Sequence, residues 1–284
     1  MAQLPPHAAE RPLDDFAREA EQLRARFPHT RMAVFPELHL HGPAEEPELR
    51  AAAERLDGPR LRGLAELAGD LGLWLLPGTV CELGPGGELF NTAPVLSPQG
   101  RLAGYYRKIF PWRPYEPYDP GDRFTVVDLD GIGRLGLMIC YDAWFPEHAR
   151  HLAWLGAEVI VNPVMTTTAD RAQELVLARA NAIVNQVYLV SVNTAGPVGT
   201  GRSLVVDPEG RVRVEAPSAD ATVLTDVLDL DDVDRVRRYG TAGLNRVWEQ
   251  FRPGDAPLEL PLYDGRIDPG RWRPAAWEES RDEH

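Results

Sequence analysis

Three reactive side chains stand where short apolar runs stop. Glu37 follows MAVFP, Lys108 follows GYYR, and Cys140 closes RLGLMIC. In layered α/β proteins ligands bind in the crevice beyond the carboxyl ends of strands, so a single crevice can gather all three. Cys140 is followed by the polar turn Tyr141-Asp142. A nucleophile on such a corner is presented to its substrate while neighbouring backbone N–H groups point to the same place, which is the geometry acyl transfer requires. Beside a thiol, a carboxylate has complementary work: Glu37 can take the proton from sulfur and later return one to a departing amine. A site closed to water raises the carboxylate pKa toward the value that work needs.

Each residue taken singly has a plainer reading. Cys140 fits a buried structural cysteine, Glu37 an exposed carboxylate at a strand exit, and Glu116, in the stiff loop PWRPYEPYDPGD, a surface glutamate unless that loop folds over the site. Lys108 is the only lysine among the 30 Lys and Arg residues. A composition that replaces Lys by Arg wherever they are interchangeable leaves a lysine by chance, or where a compact ammonium on a flexible stem is needed.

Composition removes several function classes. The 43 acidic against 30 basic residues give a formal net charge of −13, which repels a phosphate backbone, and no basic cluster offsets it. Nucleic acid is therefore not an expected partner. Two cysteines, Cys81 and Cys140, build no disulfide framework and belong to no CxxC pair. His39 and His41 form an HxH pair with no third ligand at useful spacing, so they read as solvated loop histidines, and neither a metal nor a cofactor is expected. No apolar run approaches the roughly 20 residues of a membrane span, and the opening residues lack the order of a signal peptide. A cytoplasmic protein without membrane contact is the expectation.

The elements that must position these groups alternate along the chain. Helical spacing covers residues 13–27, about 48–71 with a break near Gly58-Pro59, HARHLAWLG, and 170–185. Strand-like runs are 32–35, LWLLPGTVCEL, AGYYRKIF, RFTVVDL, RLGLMICY, EVIVNP, VYLVSVNTAG, GRSLVVDPEGRV and ATVLTDVL. Helix-connected crossovers mixed with a hairpin link at 207–211 favour two packed sheets covered by helices, with a single doubly wound sheet as the alternative. At 44% hydrophobic residues the chain can bury a large core, read as one domain over residues 1–230 and a C-terminal extension over 231–284.

Together FPELHLHG around Glu37, YYRKIFPW around Lys108 and GLMICYDAWFPE around Cys140 resemble the nitrilase superfamily of carbon–nitrogen hydrolases with a Glu-Lys-Cys triad. VNPVMTT, ARANAIVNQVYLVSVNTAG and SLVVDPEGRV support the resemblance, which covers about residues 30–230. YRKIFPWRPYEPYDPGD is most similar to aliphatic amidases, with Glu116 at their second glutamate, whereas Cys140-Tyr141-Asp142 resembles the omega-amidase-like and general amidase branches. Met1-Ala2-Gln3-Leu4-Pro5 matches only the end of the opening strand, so that strand reads as shortened or as beginning upstream.

The resemblance implies an α/β fold of the four-layer α-β-β-α sandwich type, assembled as a homodimer or higher homo-oligomer, with the tail PLELPLYDGRIDPGRWRPAAW packed on a partner or on its own domain. It implies amidase activity: a small carboxamide is hydrolysed to acid and ammonia through a thioester on Cys140. Glu37 is then the base, Lys108 and the Tyr141 N–H the oxyanion donors, and Glu116 the group holding Lys108. Tyr115, Tyr141, Trp144 and Met165 are the expected walls for the acyl group. Nitrilase, N-carbamoyl amidohydrolase and acyltransferase chemistry on the same triad are the alternatives, and outside catalysis, an idle interaction protein.

Overall fold

A computed structural model describes residues 1–7, 12–260 and 265–266. In chain order the elements are β1 (Ala2–Gln3), α1 (Pro12–Arg26), β2 (Met32–Val34), α2 (Glu46–Ala52), α3 (Pro59–Leu71), β3 (Trp74–Leu76), β4 (Val80–Leu83), β5 (Leu89–Leu96), β6 (Leu102–Arg107), β7 (Val126–Leu129) and β8 (Gly133–Leu137). There follow a 3-10 turn (Cys140–Trp144), α4 (Pro146–Trp154), β9 (Val159–Val164), α5 (Arg171–Asn185), β10 (Tyr188–Asn193), β11 (Leu204–Val206), β12 (Val212–Glu215), β13 (Thr222–Val223) and α6 (Asp231–Tyr239).

Two large sheets and a two-stranded β1-β13 pair form among the described residues. One large sheet runs β12-β11-β10-β9-β8-β7, and the other β2-β3-β5-β4 with β6 also on β5. β8, β9 and β10 are parallel and joined through α4 and α5, while β7-β8 and β11-β12 are hairpins.

Side-chain alternation explains the layering. In β3, Trp74 and Leu76 point into a core shared with Leu137, Val161, Val190 and Val192 of the other sheet. Leu75 between them points the other way, toward Phe16 of α1 and Leu64 and Ala68 of α3. In β10 the same switch sends Val190 inward and Leu189 out against Ala178 and Ala182 of α5. On the central strands a period of two therefore buries both faces of each large sheet, and the outer faces are covered by helices. This is the α-β-β-α sandwich. Pro59 opens α3 at a position needing no intrahelical N–H, and Gly72 closes it at φ +60, so the Gly58-Pro59 pair divides the helical stretch as its chemistry requires.

β5 was not among the strands expected from the sequence. LFNTAPVL carries a proline, which normally demotes a run from the interior of a sheet. Here β4 pairs with β5 only up to Thr92 and β3 pairs with it at Leu96, so Pro94 falls where the neighbouring strand changes. A missing N–H there interrupts neither ladder on that side.

One compact unit spans Met1–Val247. It includes α6, which the sequence assigned to the extension beyond 230; Val233 and Val236 are buried. The described residues from Trp248 onward belong to a second unit. Most of the tail expected to pack on a partner lies outside the described residues.

Candidate active site

Glu37, Lys108 and Cys140 each follow a strand, β2, β6 and β8 respectively, and the sandwich brings these three strand ends together. The Glu37 carboxylate is 1% exposed and the Lys108 side chain 0%. Lys108 Nζ donates to Glu37 Oε1 at 3.0 Å and to Glu116 Oε1 and Oε2 at 2.8 and 2.9 Å. The Pro- and aromatic-rich loop does fold over the site: Glu116 is held in place by the Trp112 N–H, which donates to its Oε2 at 2.7 Å. The Cys140 thiol and the Glu37 carboxylate are close enough to shift each other's protonation. Residues remote in sequence thus share one chain of contacts, Glu116–Lys108–Glu37–Cys140.

Two further groups orient the central carboxylate. Asn91 Nδ2 donates to Glu37 Oε1 at 2.8 Å, and the Met165 backbone N–H donates to Oε2 at 3.0 Å. The same β5 strand also accepts the Lys108 N–H through the Asn91 carbonyl at 2.9 Å. Asn91 therefore fixes both the Glu37 carboxylate and the lysine, yet no spacing rule marked it because it lies on the strand disguised by Pro94.

Cys140 has φ +46, a left-handed conformation that costs a non-glycine residue about 1 to 3 kcal/mol. The surroundings hold it there. Asp142 accepts the Ile139 N–H (2.9 Å) and the Tyr106 hydroxyl (2.8 Å) at Oδ2, and the Phe110 N–H (3.0 Å) at Oδ1. One buried carboxylate so ties the cysteine turn to the segment after Lys108. From the other side Asn181 Nδ2 of α5 donates to the Ala143 carbonyl at 3.1 Å. His148 closes the network, with Nε2 at 3.1 Å from the Leu137 carbonyl.

Burial dominates the electrostatics. It raises the Glu37 pKa, against the opposing pull of Lys108. It would lower that of Lys108, but Glu37 and Glu116 outweigh it and hold the ammonium well above its ordinary value. The Cys140 thiol is pushed well up by burial and by the Glu37 charge, with Lys108 opposing. A protonated thiol beside an anionic acceptor and a permanent cation is suited to attack with simultaneous proton transfer, rather than from a preformed thiolate.

The expected wall residues differ in placement. Tyr141 is half-buried and meets Phe145 edge-on with centroids 5.3 Å apart; Trp144 lies on the same turn, 6.2 Å from the Tyr141 ring. Tyr115 is 71% exposed and leans on Trp112, so it stands at the rim rather than in the wall. Met165 holds Glu37 with its backbone, while its side chain packs beside Leu38, Leu49 and Tyr118. Cys81 is buried, 3.5 Å from the Tyr118 hydroxyl. His39 and His41, expected in solvent, are 0% and 8% exposed, because the turn after β2 packs against α1 and carries them inside. An apolar cavity of about 630 Å³ lined by Leu23, Phe27, Met32, Leu129 and Leu228 includes none of the four catalytic candidates, so size alone does not locate the chemistry.

Comparison with known proteins gives a match of residues 3–238 to the family described as carbon-nitrogen hydrolase. A formamidase of Bradyrhizobium sp. (strain ORS 278) is 28% identical over 255 residues, covering 85% of this chain and 74% of that protein. An (R)-stereoselective amidase from Pseudomonas sp. is 37% identical over 218 residues, covering 74% of this chain and 77% of the relative. Among solved structures, Saccharomyces cerevisiae Nit3, a member of branch 10 of the nitrilase superfamily, superposes with a TM-score of 0.76 at 27% identity, covering 84% of this chain and 92% of the other.

Proposed function

The chain belongs to the carbon–nitrogen hydrolase family, and from that premise we propose that it hydrolyses a small carboxamide to the carboxylic acid and ammonia through a thioester on Cys140. The observation that carries this reading is the buried cluster in which one ammonium, Lys108, lies 3.0 Å from a carboxylate, Glu37, that is also electrostatically linked to the Cys140 thiol.

The steps follow from the geometry. Cys140 Sγ attacks the amide carbonyl carbon as its proton passes to Glu37. The carbonyl oxygen takes the electron pair and is held by the Lys108 ammonium and the Tyr141 N–H. Such donors act strongly in a water-poor site and need no reorganisation during reaction. As the oxyanion collapses the C–N bond breaks, and Glu37 delivers its proton to the nitrogen, releasing ammonia. Glu37 then takes a proton from water, whose oxygen attacks the thioester carbon. Collapse breaks the C–S bond, the acid leaves, and Glu37 returns its proton to sulfur.

Glu116 keeps the Lys108 ammonium in register at its 2.8 and 2.9 Å contacts. Lysine suits the position better than arginine, because a planar guanidinium crowds a small oxyanion pocket. Tyr141 and Trp144 favour a small, neutral acyl group, and the names of the formamidase and stereoselective amidase relatives agree with amide substrates.

A homo-oligomer in the cytoplasm is part of the same proposal. Trp154, Leu155, Val176 and Val184 on α4, α5 and their ends are exposed apolar residues suited to a second copy, and both cysteines are unpaired, as in a reducing compartment. No helix is long and apolar enough to cross a membrane among the described residues.

Ammonia release from formamide, short aliphatic amides and aromatic amides tests the reading. Cys140→Ala is expected to abolish turnover while leaving substrate binding; wild-type-like turnover by that variant overturns the assignment.

A further inference from the structure

We propose that His7, Glu19 and His39 form a binding site for a divalent transition-metal ion of the zinc type, separate from the catalytic constellation. The three come from different parts of the chain: His7 from the segment before α1, Glu19 from α1, and His39 from the turn after β2 that also carries Glu37. One ligand atom from each lies within 4.8 Å of the others. His39 Nε2 is 2.8 Å and His7 Nε2 3.4 Å from Glu19 Oε1. An ion bound at about 2.0 to 2.2 Å in a tetrahedron holds its ligand atoms about 3.3 to 3.6 Å apart, so the His39–Glu19 pair must part and the widest pair close, by side-chain shifts on the order of an ångström.

The hydrogen-bonded reading leaves one atom unexplained. The His39–Glu19 contact is a sound hydrogen bond, but His7 Nε2 is buried and reaches only the long 3.4 Å contact with Glu19 Oε1, which is not an aligned hydrogen bond. A buried nitrogen without an aligned partner is costly, and an ion between the three groups satisfies it. The donor set is chemically selective. Two imidazoles and one carboxylate suit Zn²⁺ and its neighbours rather than the oxygen-seeking Ca²⁺ or Mg²⁺.

The surroundings fit a structural site that remains reachable. The His39 side chain is 0% exposed, while His7 and Glu19 retain 15% and 22% exposure, which places the cluster near the surface. Phe16 and Phe35 lie against the His39 ring, with centroids 6.0 and 5.2 Å away, and keep the inner side dry. The backbone is already fixed for the purpose: the His7 N–H donates to the His39 carbonyl at 2.8 Å. An ion here pins the N-terminal segment and α1 to the turn bearing Glu37, two residues before His39. Sequence spacing hid the site because His39's partners are His7 and Glu19, not the neighbouring His41.

The test uses the full chain without an affinity tag, dialysed against Zn²⁺ and passed through gel filtration, with metal counted per chain. Co²⁺ loading reports the ligands. The expected result is one ion per chain, a tetrahedral Co²⁺ absorption spectrum without a thiolate charge-transfer band, and a raised melting temperature. His7→Ala, at a partly exposed position that does not threaten folding, and Glu19→Gln each weaken affinity by on the order of tenfold or more, whereas His29→Ala, on the surface, does not. Failure to retain an ion, a thiolate band placing it on a cysteine, or undiminished affinity in His7→Ala overturns the proposal and leaves the cluster as a hydrogen-bonded one.

Discussion

Replacing Lys108 by arginine keeps the charge and changes only its shape, which makes it the most discriminating perturbation of the site. The lysine is 0% exposed and its Nζ contacts three carboxylate oxygens at 2.8 to 3.0 Å. Because Arg preserves the positive charge, Glu37 and Glu116 stay neutralised, and the several-kcal/mol penalty of stranding buried carboxylates does not enter. What is lost, on the proposed mechanism, is a compact donor to the oxyanion. Removing one such donor costs about 100- to 1,000-fold in rate, or about 2.7 to 4 kcal/mol. Forcing the wider guanidinium into a filled site costs stability by about 1 to 3 kcal/mol as well.

Steady-state ammonia release gives kcat and KM, and thermal unfolding gives the stability change. The expected outcome is a fall in kcat of at least 100-fold with a lower melting temperature. Lys108→Met provides the contrast: it leaves Glu37 beside Glu116 with no cation, so Glu37 binds its proton more tightly and any residual activity moves to higher pH. Turnover of Lys108→Arg within about a factor of three of wild type, under ~0.7 kcal/mol, refutes the argument that ammonium geometry rather than charge matters.

Other perturbations follow from the same contacts. Asn91→Leu removes a 2.8 Å donor to a buried carboxylate, worth about 1.5 to 3 kcal/mol; kcat should drop and the acid limb of the pH profile move upward, and an unchanged profile contradicts the role given to Asn91. Glu116→Gln keeps an acceptor but removes a charge, so a smaller loss than for Lys108→Arg is expected, on the order of 10- to 100-fold in kcat and read in the same ammonia assay. Burial depresses His148 to about 3, below its ordinary value of about 6.5. The unfolded chain therefore takes up the proton first, and the stability contributed by His148 above pH 6.5 is lost as pH falls toward 3, while Asp142 beside it, raised to about 7, titrates in the same window with the opposite sign. His148→Gln should lower the slope of melting temperature against pH in that window; an identical slope contradicts the assignment.

Much of the site was legible because its members sit where apolar runs end. A charged or nucleophilic residue immediately after a buried strand has few structural uses, and Glu37, Lys108 and Cys140 share that position. Glu116 was harder, since only folding of its loop, held by the Trp112 N–H, distinguishes it from a surface glutamate. Asn91 was hidden by Pro94, whose tolerance depends on two neighbouring strands meeting beside it, a tertiary fact that no local pattern carries. Met165 acts through a backbone N–H, which every residue but proline possesses. His39 and His41 looked solvated because polar type suggests exposure, but packing of the turn after β2 decides it. The layer order was legible only in outline: periodicity marks which residues of a strand are buried, not whether a helix or a second sheet covers them, as Leu75 and Leu76 illustrate.

Rapid acid quench during turnover of a short-chain amide, followed by intact-mass measurement and peptide mapping, tests the central claim most directly. The account predicts a protein heavier by one acyl group, with that group on Cys140, ammonia released at or before its appearance, and no adduct in Cys140→Ala. Ammonia release that continues in Cys140→Ala, or an acyl group mapped to Cys81, would contradict it.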